Sequence, residues 1–295
     1  MGYKKRLKLR QLIKENEMKL NKIAATMILA SVGFASLNAQ AITVDGVTWN
    51  QFFGNDFSAK SNLFELTSGN AGDTVSGYGF INQINGKNYG TSGSFLPGTA
   101  ELTYEFGGFT LLAAANQGVG SFAGFGTGIE SNNGSFMFTG GWLNVYINGT
   151  VLGPNGHIPG AAFTSFDETN KSTATDGELW VSMLASSAFY GGGVTLKGSV
   201  TGKNSVGLSG QGVGYFDVLG GPAAASLNTN SEPGASDFTY TSEFQALDAA
   251  YADANAQGNN TIFGKTARVP EPGSIALVGL GLLGLCFGRR NKKAA

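Results

Sequence analysis

The chain is poor in cysteine, histidine and charge, and each scarcity removes a class of function. Cys286 is the only cysteine among 295 residues, so no intrachain disulfide can brace the fold. His157, in "GPNGHIPG", is the only histidine. To act in nucleophilic catalysis it would need a nucleophile and an orienting acid within reach. No Gly-x-Ser-x-Gly elbow is present, and the one cysteine lies inside a terminal apolar run. A zinc centre would need two or three further His or Cys ligands. His157 is therefore read as a loop residue.

Charged residues make up 13% of the chain, and they are segregated. Residues 1–41 hold eight Lys/Arg against Glu15 and Glu17, and the last seven residues hold Arg289, Arg290, Lys292 and Lys293. The body between, 42–268, carries 7 basic and 17 acidic side chains, a net −10. Nucleic-acid binding rests on Lys and Arg displacing counterions, so an acidic body excludes it. Glycine, at 46 residues, is about twice its usual share. It opposes helices and supplies turns, so a helical protein is not expected.

The two ends read as addresses. "MKLNKIAATMILASVGFASLNAQA", Met18 to Ala41, has the charged start, apolar middle and small residues of a secretory signal peptide. Ala39 and Ala41 fit the narrow subsites of signal peptidase, with the cut after Ala41. Residues 1–17 are an extended n-region or follow from an upstream start codon, and no twin-arginine pair redirects export. At the other end, Ser274–Gly288 is a run of 15 uncharged residues, about 22 Å as a helix against a hydrocarbon core of roughly 30 Å. It suits a transient stop better than a permanent anchor. Arg289, Arg290, Lys292 and Lys293 would hold the tail on the cytoplasmic side and leave the body outside.

Val269-Pro270-Glu271-Pro272-Gly273, then a Leu/Gly/Ala helix, then Arg289-Arg290, resemble the PEP-CTERM sorting signal. The family's proteins come from bacteria that make exopolysaccharide. The resemblance implies that exosortase, an integral-membrane protease-transpeptidase, processes the chain for the cell exterior, with Pro270, Glu271 and Pro272 as the sorting motif. "GYFDVLGGPAAASLNTN" followed by "SDFTYTSEF" is similar to flocculation-associated members of this group.

The body reads as all-β. Asp45-Gly46 and Asn148-Gly149 are hairpin signals between apolar runs. In "ELTYEF", Leu102, Tyr104 and Phe106 alternate with Glu101, Thr103 and Glu105, a period of two that buries one face. Eight to eleven such runs argue for a sandwich or barrel, and a jelly-roll-like β-sandwich is the expectation. Gly107-Gly108 and Gly140-Gly141 are expected bulges or corners. Trp49, Trp142 and Trp180 are expected in the core rather than on a sugar-binding surface. Glu243–Gly258 reads as the one helix-like stretch, with Phe244, Leu247 and Tyr251 at spacings of three and four. "NNTIFGKTARVPEP" reads as a stalk. The expected domains are thus a signal peptide with its extension (1–41), a β domain (42–258), a linker (259–268) and the sorting signal (269–293).

Carboxylates are the remaining catalytic candidates. Asp167-Glu168 and Asp176 with Glu178 flank "TNKSTAT"; they are expected to be solvated loop acids. Ca²⁺ is the one ion they could take, and a glycosidase pair would need them facing each other. No catalytic residue, metal site or cofactor is expected. The functional expectation is a structural protein of an exopolysaccharide-associated biofilm or floc. Its partners would be signal peptidase, exosortase and exopolysaccharide, with transient membrane anchoring and no nucleic acid. Its rivals are a secreted carbohydrate-binding module and a glycoside hydrolase.

Overall fold

The computed structural model describes residues 41–50, 57–66, 72–96, 100–112, 134–149, 171–203, 205–248 and 254–267. Contacts divide the chain into two units, Met1–Gln40 and Ala41–Ala295, and every described residue belongs to the second. The described strands are β1 (Ala41–Val44), β2 (Val47–Asn50), β3 (Phe57–Leu66), β4 (Thr74–Ile84), β5 (Lys87–Asn88) and β6 (Glu101–Leu111). They continue with β7 (Gly134–Asn148), β8 (Glu178–Ala185), β9 (Val194–Lys203), β10 (Leu208–Gly220), β11 (Phe238–Ala246) and β12 (Ala256–Gly264).

Asp45 and Gly46, at φ 49° and 85°, turn β1 into β2. Both central residues are left-handed, as a tight hairpin matched to strand twist requires. Asn85-Gly86 makes the same kind of turn between β4 and β5, with φ 47° and 78°. Asn148 and Gly149 end β7, and the residues that would complete their hairpin lie outside the described residues.

The sandwich expectation is corrected: the sheet closes on itself. Antiparallel pairing runs β11–β12–β3–β4–β6–β7–β8–β10 and returns from β10 to β11. One position in this ring is shared. The first part of β7 and of β10 pairs with β9, and the later part of each pairs with β8. Eight strands therefore surround the axis at either level. Closure removes the open edges that a sandwich would leave to manage.

Glycine facing inward makes this closure possible. A Cβ on Gly77 would fall 2.5 Å from Phe106 Cζ, and one on Gly79 2.5 Å from the Tyr104 hydroxyl oxygen. An eight-stranded barrel is only wide enough for its side chains to fill, so bare backbone on one strand makes room for a ring on the next. Leu102, Tyr104 and Phe106 are buried inside, as the alternation of "ELTYEF" requires. Glu101 and Thr103 are buried too. The 3-10 turn Lys171–Ala174 lies against the outside of β6, where Thr103 Oγ1 donates to the Ala174 carbonyl at 2.8 Å and Lys171 pairs with Glu105 at 2.9 Å.

The β1–β2 hairpin packs onto one end of the barrel. Trp49 stands edge-on to Phe57 and to Trp180, with centroids 5.5 and 6.0 Å apart. Trp180 is the extra residue of a bulge in β8, and its Nε1 donates to the Val44 carbonyl at 3.2 Å. Both tryptophans are in the core, as expected. Trp142 is not. It has the opposite parity to Leu143, Val145 and Ile147, so it points outward and is half-buried. Its indole lies over Gly107-Gly108, where a Cβ on either glycine would approach it to 3.0 Å. Gly108, Gly140 and Gly141 have positive φ (72°, 67° and 106°), the local kink expected of these glycine pairs.

Two further expectations are corrected. Glu243–Ala246 belongs to β11 and Ala256–Gly258 to β12, so neither end of the supposed helix is helical. The period of two that starts at Phe238 and Tyr240 runs on through Ser242, and this long-range pairing overrides the local spacing of three and four. Asn259–Gly264, read as stalk, is the middle and end of β12, paired with β11 on one side and β3 on the other. The expected body–linker boundary at 258/259 thus falls inside a barrel strand.

Among the described residues no helix is long and apolar enough to cross a membrane. The expected span Ser274–Gly288 lies outside them.

Candidate functional site

The outer face of β9, β10, β11, β12 and β3 is built by register. One transverse row, continuous through its pairings, is Ser199–Gln211–Glu243–Asn259–Asn62. Two residues away along the strands runs Lys197–Val213–Thr241–Thr261–Lys60. Between them Ser242 and Asn260 turn their side chains inward and Gly198 and Gly212 have none, leaving backbone as the floor of a trough. This trough has a volume of about 630 Å³ and reaches Tyr190 at its β9 end. A second, of about 750 Å³, lies on the other side of the first row, with Gln245 and Gln257 on its far wall.

The two troughs share Gln211, Glu243 and Asn259, so that row is a ridge between them. Five strands at about 4.8 Å spacing make the ridge about 19 Å long. Its amides, and the hydroxyls beside them, both donate and accept hydrogen bonds. Among the described residues Glu243 is the only carboxylate lining either trough. Hydrolysis of a glycosidic bond by the usual route needs two. An aromatic cluster sits at the β9 end: Tyr190 lies 5.2 Å from Phe189 and 5.5 Å from Tyr215, and its hydroxyl donates to the Val213 carbonyl at 3.2 Å. Lys197 Nζ stands 4.7 Å from the Tyr190 ring centroid.

The barrel interior is a poorer site. At the end away from the β1–β2 hairpin it leaves a cavity of about 50 Å³, lined by Phe106, Phe109, Phe136, Phe216 and Glu65 among others. At about 10–15 Å³ per water, that admits a few waters and no sugar. Burial pushes the Glu65 carboxyl up to about 8. Nearby, Tyr104 donates to the Asn62 carbonyl at 2.6 Å and accepts from Asn260 Nδ2 at 2.7 Å, while Ser61 Oγ donates to Asn260 Oδ1. Burial raises both Tyr104 and Tyr240 above the ordinary tyrosine range.

Of the acids singled out in the sequence, Asp176 and Glu178 line neither trough. Asp176 accepts from Asn148 Nδ2 at 3.1 Å, and the same amide lies 3.4 Å from Glu101 Oε1. Glu178 opens β8 opposite Ile147. Asp167, Glu168 and His157 lie outside the described residues. Among the described residues no group of three or more His, Cys, Asp or Glu side chains could hold a metal ion. Ala41 begins β1, exposed and paired with Asn50, while Ala39 lies outside the described residues. Pro270, Glu271, Pro272, Arg289, Arg290, Lys292 and Lys293 also lie outside them. The ridge residues carried a readable signal, polar alternation in "SGQGVG" and "AQGNN", but only the register joins them.

Residues 268–293 match the PEP-CTERM protein-sorting motif, at the C-terminal location expected of an exosortase substrate. The motif implies an exosortase-processed protein exported to the cell surface, with exosortase as its processing partner. No curated protein and no solved structure matches the chain.

Proposed function

We propose that the protein is a structural component of an exopolysaccharide matrix, in biofilm or floc, retained there by glycan held along the outer troughs. The observation that carries this reading is the ridge Ser199–Gln211–Glu243–Asn259–Asn62, an uninterrupted row of hydrogen-bonding side chains across five strands. Polysaccharides present dense hydroxyls along a chain. A row of amides standing between two open troughs matches them without deep burial. A single carboxylate in the troughs among the described residues favours holding a glycan over cleaving it. The route is signal-peptide export with a cut after Ala41, brief membrane anchoring through Ser274–Gly288, then processing at Pro270-Glu271-Pro272.

The test is retention of the secreted protein in the host's own polysaccharide. The Gln211→Ala/Asn259→Ala double variant should be exported at the normal level and wash out of the matrix. Retention equal to wild type would overturn the trough reading.

A further inference from the structure

The first trough is chemically uneven. Most of its walls are neutral, but its β9 end carries Lys197 beside an aromatic cluster. The body around it is acidic, with a net −10 over residues 42–268. A lysine in such a body would ordinarily find a carboxylate. Among the described residues Lys197 has none within ion-pair distance; its contact is the Tyr190 ring, 4.7 Å from Nζ. The ring is itself fixed, because Tyr190 packs on Phe189 and Tyr215 and its hydroxyl donates to Val213. Lys197 is thus held in place by an aromatic face that attracts the cation without neutralising it.

We propose that the Lys197–Tyr190 end of the trough is a subsite for a carboxylated sugar, a uronic acid unit within the polysaccharide chain. The lysine supplies the charge-assisted contact to the sugar carboxylate. Gln211 and Ser199, across the trough floor from Lys197, stand where the hydroxyls of the same or the next unit can be bound. Lys60 closes the same row at the far end, on β3. One chain lying across the strands would therefore meet a cation at each end of the row, with Val213, Thr241 and Thr261 between and the amides of the ridge alongside. Glu243, on the ridge, opposes a carboxylate at the middle, so acidic units are placed toward β9 rather than toward the centre. The general repulsion of an acidic body for a polyanion is screened beyond about 10 Å at 0.1 M salt. The local contact at Lys197 is not.

This inference rests on the trough reading, and its test separates the two. The secreted protein, as an exosortase-bearing host releases it, is titrated at 0.1 M NaCl with EDTA. The probes are polygalacturonate and its fully methyl-esterified form, which keeps the backbone and removes the charge. Wild type should bind the acid form more tightly. Lys197→Gln should weaken that binding about tenfold or more, with little change toward the ester, and Lys197→Arg should keep most of it. Wild-type affinity in Lys197→Gln, equal or tighter binding of the ester by wild type, or no binding of either polymer would each overturn the carboxylate subsite. Loss of binding to both polymers in Gln211→Ala/Asn259→Ala, with Lys197→Gln unaffected, would overturn the subsite and leave the trough standing.

Discussion

Gln211 on β10 and Glu243 on β11 are direct register partners, and both stand on the ridge that the two troughs share. They are exposed, so neither contributes to the core. Glu243→Gln should leave the melting transition within about 0.5 kcal/mol of wild type. It should raise affinity for an acidic polysaccharide about two- to threefold by removing a like charge about 5–10 Å from the bound chain. Calorimetric melting and polymer titration on the same preparation check both halves.

The tryptophans should rank by the packing found here. Trp180→Ala empties a fully buried site next to Trp49 and Phe57 and should cost about 3–5 kcal/mol. Trp142→Ala uncovers a glycine pair on the outer face and should cost less than half as much. Urea unfolding of the two variants gives the order directly, and equal losses would contradict the outward placement of Trp142.

Asp237 fastens the segment between β10 and β11. Its carboxylate accepts from the backbone N–H of Val218 at 2.7 Å, Thr229 at 2.5 Å and Asn230 at 2.6 Å. Asp237→Ala would strand those donors, so a loss of about 2–4 kcal/mol is expected. Hydrogen exchange should rise first at Thr229 and Asn230.

Glu65 sets a pH dependence with an unusual sign. Burial raises its carboxyl from 4.5 to about 8 in the folded state, so between those values the folded protein holds a proton that the unfolded chain has released. Stability from this group is therefore full below about pH 4.5, falls as pH rises toward 8, and is level above that. The total is a few kcal/mol at about 1.4 kcal/mol per pH unit. Glu65→Gln keeps the shape of the protonated acid without its ionisation. The stability difference between variant and wild type should grow in the variant's favour from pH 5 to pH 8.5. A constant difference across that range would mean that Glu65 is not desolvated.

Much of this was readable before folding, because it is local. Asp45-Gly46 fixes its own turn, Leu102, Tyr104 and Phe106 sort themselves to one face, and the glycine pairs at 107–108 and 140–141 mark their own kinks. Pro270-Glu271-Pro272 and the basic tail announce the route without any fold. Closure was not readable, since it depends on β10 meeting β11 and on β8 and β9 sharing one slot. Both are pairings that no stretch of sequence encodes alone. Trp142 carries its own signal: its parity, opposite to that of Leu143, places it outside, and its partial burial comes from bare glycine on the neighbouring strand. The ridge was hidden for the same reason as the barrel. Gln211, Glu243 and Asn259 lie on three strands, and only register sets them side by side.

The sorting signal itself should be separable into parts. Changing Pro270, Glu271 and Pro272 together to alanine should remove the prolines that oppose helix, and a helix hides its peptide bonds from a membrane-face protease. Full-length protein should then accumulate in the membrane fraction, detected by a tag placed after Lys293. Normal release of that variant would count against the motif as the processing site.

The most direct test of the whole account is the mass of the protein recovered from the extracellular polysaccharide of an exosortase-bearing host. The account predicts a species that begins near Ile42 and has lost Cys286 together with Arg289, Arg290, Lys292 and Lys293. Recovery of a matrix-bound protein still carrying Cys286 and that basic tail would contradict it.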